Sequence, residues 1–374
     1  MSHHHHAPGG IAEEKNTRNE ILSLLWEEPE LLAFLREQDE ELCLAAVREN
    51  GLTLRHVRCQ TPEICLAAVQ EDGEALEYVQ EQTPVLCRAA VTQNGLALRF
   101  VKEQNTELCE LALKQNPDAL RHVRSITPEL LRLAALSCRG TSFLPEGADP
   151  DLFLDRKASA RKALLRMKHP TEAACLRAVT ADPDALELLD EDRQSEAVCL
   201  AAVRQNGEAL RHVRRQSRIV CLAAVRESGL ALRHVLEQTE EICLAAVREN
   251  GEALRYVRNQ TENICLAAVR NEGDALLYVR NKTPEICREA VAQYGGAIRL
   301  VPEQDEDLQL AALRSDPYSI RWMASPSRKV IMNVVQTWGQ ALQFVPGQDE
   351  ETCTAALSND GESLRYVHRP KNAR

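Results

Sequence analysis

Hydrophobic and polar positions along this chain recur with a period of 22 residues, and Thr239–Gln260, TEEICLAAVRENGEALRYVRNQ, states the unit. Cys43, Cys65, Cys87 and Cys109 stand 22 apart, as do Cys199, Cys221, Cys243, Cys265 and Cys287. A fixed period of this size is the mark of a stacked repeat architecture.

Thr61–Gln82, TPEICLAAVQEDGEALEYVQEQ, shows what one unit predicts. Thr61 is a helix N-cap, Pro62 suits the first helical position, and Glu63 complements the helix dipole. Ile64 to Val69 is apolar without a break, enough to cover most of a helix circumference, so this helix is expected to be buried on several sides. Gly73 then stops it, read as a left-handed C′ glycine. A second helix of roughly seven residues follows from Glu74, with Ala75, Leu76 and Val79 as its core face. Helices this short are marginal alone, so neighbouring pairs must stack on each other. The pattern predicts an all-α fold: a right-handed α-α superhelix, or solenoid, of tandem helix-turn-helix repeats.

The run CLAAVRENGLTLRHV at Cys43–Val57, with copies at Cys221 and Cys243, resembles the repeat of an uncharacterised family called domain of unknown function 4116. Units of that family pair a helix close to LAAV-x-x-NG with one close to LAL-x-YV. The resemblance covers most of Leu42–Val301 apart from an irregular middle. It implies an α-helical repeat protein and no known catalytic residues.

In chain order, Met1–Gly10 carries a His tract and reads as a disordered tail outside the fold. Repeats with a capping start occupy 11–136, with Ile21 at the Cys position, Trp26 filling the first turn, and the polar Glu13–Glu20 covering the end of the stack. Residues 137–168 form a degenerate repeat and a candidate hinge: Phe153 stands at the marker position, and Ala163, Leu164 and Met167 return at second-helix offsets. Repeats resume over 169–368, two extra residues falling between Leu189 and Cys199, and 369–374 is a tail. First-helix markers at 21, 43, 65, 87, 109, 131, 153, 175, 199, 221, 243, 265, 287, 309, 331 and 353 give 16 units. With helices about 8–10 Å apart, such an array would reach on the order of 150 Å.

Composition narrows the chemistry. Of 374 residues, 44% are hydrophobic and only 4% aromatic, so the core is built from Leu, Ala, Val, Ile and Cys. No apolar run is long enough to span a bilayer. Thirteen cysteines raise metal and disulfide readings. No Cys-x-x-Cys occurs, and cysteines on neighbouring stacked helices stand beyond the roughly 7 Å a disulfide allows. They read as small buried hydrophobes in helix seams, which implies a reducing, cytoplasmic compartment. Cys59 reads as a lone solvent-edge thiol. No metal or cofactor is expected.

Two stripes could carry function. Twelve residues after the markers stand Arg55, Arg99, Arg121, Arg211, Arg233, Arg255, Arg299, Arg321 and Arg365; one residue later come His56, Tyr78, Phe100, His122, His212, His234, Tyr256, Tyr278, Trp322, Phe344 and Tyr366. Arg beside aromatic residues suits protein hot spots and also stacking on single-stranded nucleic acid. The bland alternative is a solvated Arg row paired with glutamates, its rings packed between repeats. A net charge of −11 and a pI near 5.5 disfavour a nucleic-acid binder, unless acids such as Glu41, Glu63, Glu107, Glu241 and Glu285 segregate to the other edge. The basic run Arg156, Lys157, Arg161, Lys162, Arg166 and Lys168 is a candidate anionic-partner patch against a solvated face. Arg321–Gln348, with Trp322 and Trp338, is a candidate partner site against irregular core filling.

No phosphate loop, metalloprotease helix or nucleophile elbow is present, and the repeated histidines show no acid partner in sequence. The reading is therefore a non-catalytic, monomeric, cytoplasmic scaffold that binds a protein or peptide along an extended face. Single-strand nucleic-acid binding and a purely structural spacer stand as alternatives.

Overall fold

The computed structural model describes residues 9–368, in which sixteen α-helices and fifteen short 3-10 helices follow one another without a strand. The His-bearing Met1–Pro8 and the 369–374 tail lie outside the described residues. Two compact units form, one up to Leu188 and the other from Leu189. That division falls beside the two extra residues before Cys199, and the irregular 137–168 stretch lies inside the first unit. Each unit is a stack of repeats, an α-solenoid.

In the repeat at Thr61, the threonine hydroxyl accepts from Ile64 N at 3.3 Å, and Pro62–Glu71 is a ten-residue α-helix. Asp72 closes it by donating its N–H to the Ala68 carbonyl at 2.9 Å. Its carboxylate then accepts from Glu74 N at 3.0 Å, capping the second element as well. That second element is not the expected α-helix of seven residues but a 3-10 helix, Gly73–Tyr78, ending where Val79 N reaches the Leu76 carbonyl. Six residues leave little room for i→i+4 bonds, whereas i→i+3 bonds close at once.

The glycine is also corrected. Gly73 is not left-handed; among the described glycines only Gly140 and Gly147 have positive φ. Gly73 is needed because a Cβ there would lie 2.4 Å from the Ala90 carbonyl oxygen of the next repeat. The first helix is less enclosed than expected: Ile64, Cys65, Ala68 and Val69 are buried, while Leu66 and Ala67 are half-buried. The marker cysteines from Cys43 to Cys287 are buried, and Cys59 is exposed.

Three polar staples join consecutive repeats. Gln60 Nε2 donates to the Tyr78 carbonyl at 2.7 Å while its Oε1 accepts from Gln80 N at 2.9 Å. The same rung recurs from Gln38, Gln82, Gln104, Gln194, Gln216, Gln238, Gln260, Gln304 and Gln348. Each satisfies backbone groups that the break after the 3-10 helix would otherwise leave unpaired. Second, Gly73 N donates to Gln93 Oε1 at 2.6 Å. Third, Arg124, Arg258 and Arg280 each fork onto two carbonyls of the preceding repeat.

The ends and the middle depart from the rule. Gly9–Glu27 is one 19-residue helix, so Gly9 and Gly10 belong to it rather than to a tail. Its Arg18 pairs with Asp39 at 2.6 Å and Glu41 at 2.7 Å. Trp26 does not fill a turn; it is 60% exposed. No helix forms between Leu136 and Pro150, where Asp118 instead gathers Thr141 and Ser142 at 2.6–3.0 Å. The next unit inverts the usual order. A four-residue 3-10 helix, Pro150–Phe153, stands first and buries Phe153, and the α-helix Lys157–Arg166 stands second. Its sequence KASARKALLR is made largely of strong α-formers, and it closes through Met167 N on the Leu164 carbonyl, as Val79 closes on Leu76.

Candidate functional site

The 3-10 helices fix the Arg and ring positions. In each, the core residues (Ala253 and Leu254, for example) point inward, which leaves Arg255 exposed and Tyr256 half-buried. Arg55, Arg99, Arg121, Arg211, Arg233, Arg299 and Arg321 are likewise exposed. Within each unit the Arg positions are thus exposed and positions such as Tyr256 beside them half-buried.

Glu41, Glu107 and Glu241 at the first-helix starts pair with Arg18, Arg88 and Arg218, outside the row, but the row has acids of its own as well. The first turn of the preceding 3-10 helix supplies a carboxylate to this same row: Arg55 meets Glu30 at 2.8 Å, Arg99 meets Glu74 at 2.8 Å, Arg233 meets Glu208 at 2.6 Å, and Arg299 meets Asp274 at 3.2 Å. Arg255 and Arg365 use Glu252 and Glu362 of their own helix, each at 3.4 Å. Two histidines also have acids: His56 Nε2 lies 2.6 Å from Glu30, and His234 Nε2 lies 2.8 Å from Glu208. The expectation that they lack one is thus corrected. The Arg55 hydrogen bond chiefly holds the Glu30 carboxyl below its ordinary range, with His56 adding to it.

Part of the basic run of the middle bonds to backbone. Arg156 caps the carbonyls of Leu136 and Ser137, Arg166 those of Leu144 and Pro145, and Lys162 that of Ser142. Arg161 pairs with Glu187 at 3.1 Å. Lys157 and Lys168 are exposed. Arg156, Lys162 and Arg166 thus hold the irregular segment against the stack.

Rings and guanidinium groups come together most densely across Tyr294–Phe344. Arg299 lies between Tyr294 and Trp322, its Cζ 6.0 and 5.8 Å from the ring centroids. Arg321 stacks on Trp322 at 4.0 Å and faces Tyr318 at 5.3 Å. Tyr318 in turn meets Trp338 at 4.5 Å, and Trp338 meets Phe344 at 6.0 Å. Three successive 3-10 helices, Gly295–Leu300, Pro317–Trp322 and Gly339–Phe344, hold this ladder. Tyr256 and Tyr278 make a smaller version around Arg255, at 5.2 and 5.5 Å.

The ladder breaks a local rule twice. Asn50, Asp72, Asn94, Asn116, Asn206 and Asn250 cap their 3-10 helices through the side chain. Tyr294 and Trp338 stand at that same position and make no side-chain cap, as Ser228 and Glu272 also do not. A lost cap costs about 1 kcal/mol. Tyr294 also folds over Gly296, where a Cβ would meet its ring at 2.5 Å.

Two larger grooves flank regular junctions. One, of about 730 Å³, is lined by Leu22, Trp26, Leu44 and the acids of the second helix. Another, of about 710 Å³, lies where Lys282 replaces a Gln rung and turns back onto the Val279 carbonyl. Among the described residues no cluster of His, Cys, Asp and Glu could hold a metal, and no helix is long and apolar enough to cross a membrane.

Sequence reasoning passed over the Gln rung, although Gln38, Gln60, Gln82 and Gln104 recur in the same phase as the cysteines. It also passed over Tyr294 and Tyr318, whose signal was a ring at a capping or first-turn position. No curated protein and no solved structure matches the chain. Residues 39–82 match the model of the family described as Domain of unknown function (DUF4116), and this helical repeat chain is similar to that family there, as the run Cys43–Val57 implied.

Proposed function

We propose that the chain is a non-catalytic interaction scaffold that binds a protein or peptide along the Arg and ring rows of its 3-10 helices. One observation carries the reading: carboxylates interdigitate with the arginines, as at Glu74–Arg99 and Asp274–Arg299. A groove that tracks a nucleic-acid backbone needs a run of uncompensated cations. A face of alternating charges with half-buried rings instead offers paired hydrogen-bond partners and apolar contact, which suits a protein surface. The His–Glu pairs fit a structural role, because Glu30 and Glu208 each face an arginine as well. The buried marker thiols support a reducing, cytoplasmic setting.

The test is a pull-down from lysate with and without nuclease, run for the wild type and for Arg255→Glu/Arg299→Glu. Proteins retained through nuclease and lost in the variant support the reading. Nucleic acid recovered, with proteins lost on digestion, overturns it in favour of strand binding. An empty pull-down in every arm favours a structural spacer.

A further inference from the structure

We infer that Arg321, with the rings around it, is a recognition site for a carboxylate in an acidic, apolar peptide segment; this deepens the interaction-face reading and rests on it. Six of the nine arginines of the row draw their carboxylates from two places, while Arg121 lies over the Phe143 ring. One lies 25 residues back, as in Glu30–Arg55, Glu74–Arg99, Glu208–Arg233 and Asp274–Arg299. The other lies three residues back, as in Glu252–Arg255 and Glu362–Arg365. For Arg321 those two places are held by Gly296 and Tyr318. Among the described residues it makes no ion pair, and its guanidinium is held over Trp322 at 4.0 Å beside Tyr318 at 5.3 Å.

Stacking fixes the plane of the guanidinium and leaves its edge, with the hydrogen-bond donors, pointing away from the rings. A planar, oriented fork of that kind matches a carboxylate bidentately. Around it, Tyr318 is 48% exposed, and Trp338 and Phe344 extend the apolar surface by ring contacts of 4.5 and 6.4 Å to Tyr318. Tyr294 and Trp338 place rings where Asn50, Asn94, Asn206 and Asn250 place a side-chain cap, a cap that Ser228 and Glu272 also lack. Rules broken together at one place mark a functional site more often than a structural one.

The charge count selects a peptide over a nucleic-acid strand. A strand brings a phosphate with every nucleotide. Here two arginines serve the ladder, and Asp274 already faces Arg299. One uncompensated cation among several rings fits one carboxylate among apolar side chains.

Two of the three tryptophans lie in the site, so a Trp26→Phe background reports on it through Trp322 and Trp338. The probe is a short synthetic peptide of alternating glutamate and leucine around one phenylalanine, titrated by intrinsic fluorescence. Its glutamine analogue and an oligothymidine serve as comparisons. Saturable change with the glutamate peptide is expected, at least about tenfold weaker for the glutamine analogue and for Arg321→Gln, whose helical circular dichroism should match the parent. Equal binding of both peptides, unchanged in Arg321→Gln, overturns the carboxylate assignment and leaves the interaction face standing. Tighter binding of oligothymidine than of peptide overturns both. No change with any probe overturns the Arg321 site, while the pull-down above decides the wider face separately.

Discussion

Gln238 reaches across a repeat junction to donate its Nε2 to the Tyr256 carbonyl at 2.8 Å, while its Oε1 accepts from Arg258 N at 3.0 Å. One side chain thereby satisfies a carbonyl and an amide left over where the 3-10 helix ends. The Cys243 thiol lies against the same oxygen at 3.7 Å. Gln238→Leu keeps the bulk and removes both bonds, leaving a part-buried carbonyl and a more exposed amide without these partners. Expected is a loss of about 1–2 kcal/mol in urea unfolding, with the Arg258 amide losing exchange protection first. Because repeats couple mainly to their neighbours, amides of the first unit should keep their protection. A loss under 0.5 kcal/mol would reduce the rung to an accessory.

How much of this was legible follows from the kind of signal each feature leaves. The period, the Thr61 cap, Pro62 at the helix start and the buried cysteines all rest on local rules, and the structure shows each of them. The 3-10 geometry did not show in sequence, because Ala75, Leu76 and Val79 suit either helix type. Gly73 was assigned the wrong reason: its restriction comes from the Ala90 carbonyl of the next repeat, a contact no single repeat contains. The pairing of the Arg row was hidden likewise. Glu74 and Arg99 are 25 residues apart and meet only when repeats stack. The Arg321 site was half-visible, since Trp322 and Trp338 stood out by type, while its missing carboxylates at Gly296 and Tyr318 became readable only once that offset was known.

The glycines supply a paired prediction. A Cβ at Gly95 would lie 2.3 Å from the Ala112 carbonyl oxygen, whereas at Gly361 nothing among the described residues stands within 4 Å. Both open a 3-10 helix at the same place in the repeat, so conformational preference cancels between them. Gly95→Ala should cost about 2 kcal/mol or more by forcing two repeats apart. Gly361→Ala should be neutral or stabilising by about 0.5 kcal/mol, through the stiffer unfolded chain. Equal effects in chemical denaturation would show that backbone conformation, not close approach, selects glycine here.

Ser363 is buried, and its Oγ has no hydrogen-bond partner among the described residues. Thr53 and Ser319, at the equivalent place, donate their hydroxyls to Asn50 and Asp316 carbonyls at 2.6 Å. Most other repeats hold alanine there, as at Ala75 and Ala253. Ser363→Ala should therefore stabilise the last repeat by about 1 kcal/mol, raising its urea midpoint. Ser319→Ala, which removes a bond that is made, should not.

Burial pushes the marker thiols up, Cys199 to about 11, with Cys221, Cys243, Cys265 and Cys287 shifted in the same direction. Their folded pKa lies above the unfolded value near 8.5. The stabilising difference is thus fully present below pH 8.5 and is lost as pH rises toward about 11 for Cys199. Urea midpoints should fall across that window, and a Cys199→Ala variant should fall less. At pH 8, a thiol reagent should label the exposed Cys59 and Cys138 promptly and the buried markers only on unfolding. Prompt labelling of Cys243 in native protein would contradict the closed seam.

Tyr294→Asn tests whether the ladder is a site or a filler. The substitution returns a capping side chain to the position that Asn250 holds in a regular repeat, where it accepts from Glu252 N at 2.9 Å. It removes a ring that is 37% exposed and stands 6.0 Å from the Arg299 guanidinium. A cap contributes about 1 kcal/mol, and an exposed cation–π contact about 0.5–1 kcal/mol, so stability should stay level or rise slightly. Binding of the glutamate peptide should weaken, because Tyr294 holds one side of Arg299 and, through it, Trp322. Stability held and binding lost is the signature of a residue kept for its surface. If the variant instead unfolds by 2 kcal/mol or more sooner in urea, the ring is core packing. The caps at Tyr294 and Trp338 would then have been exchanged for cohesion of the stack rather than for a partner.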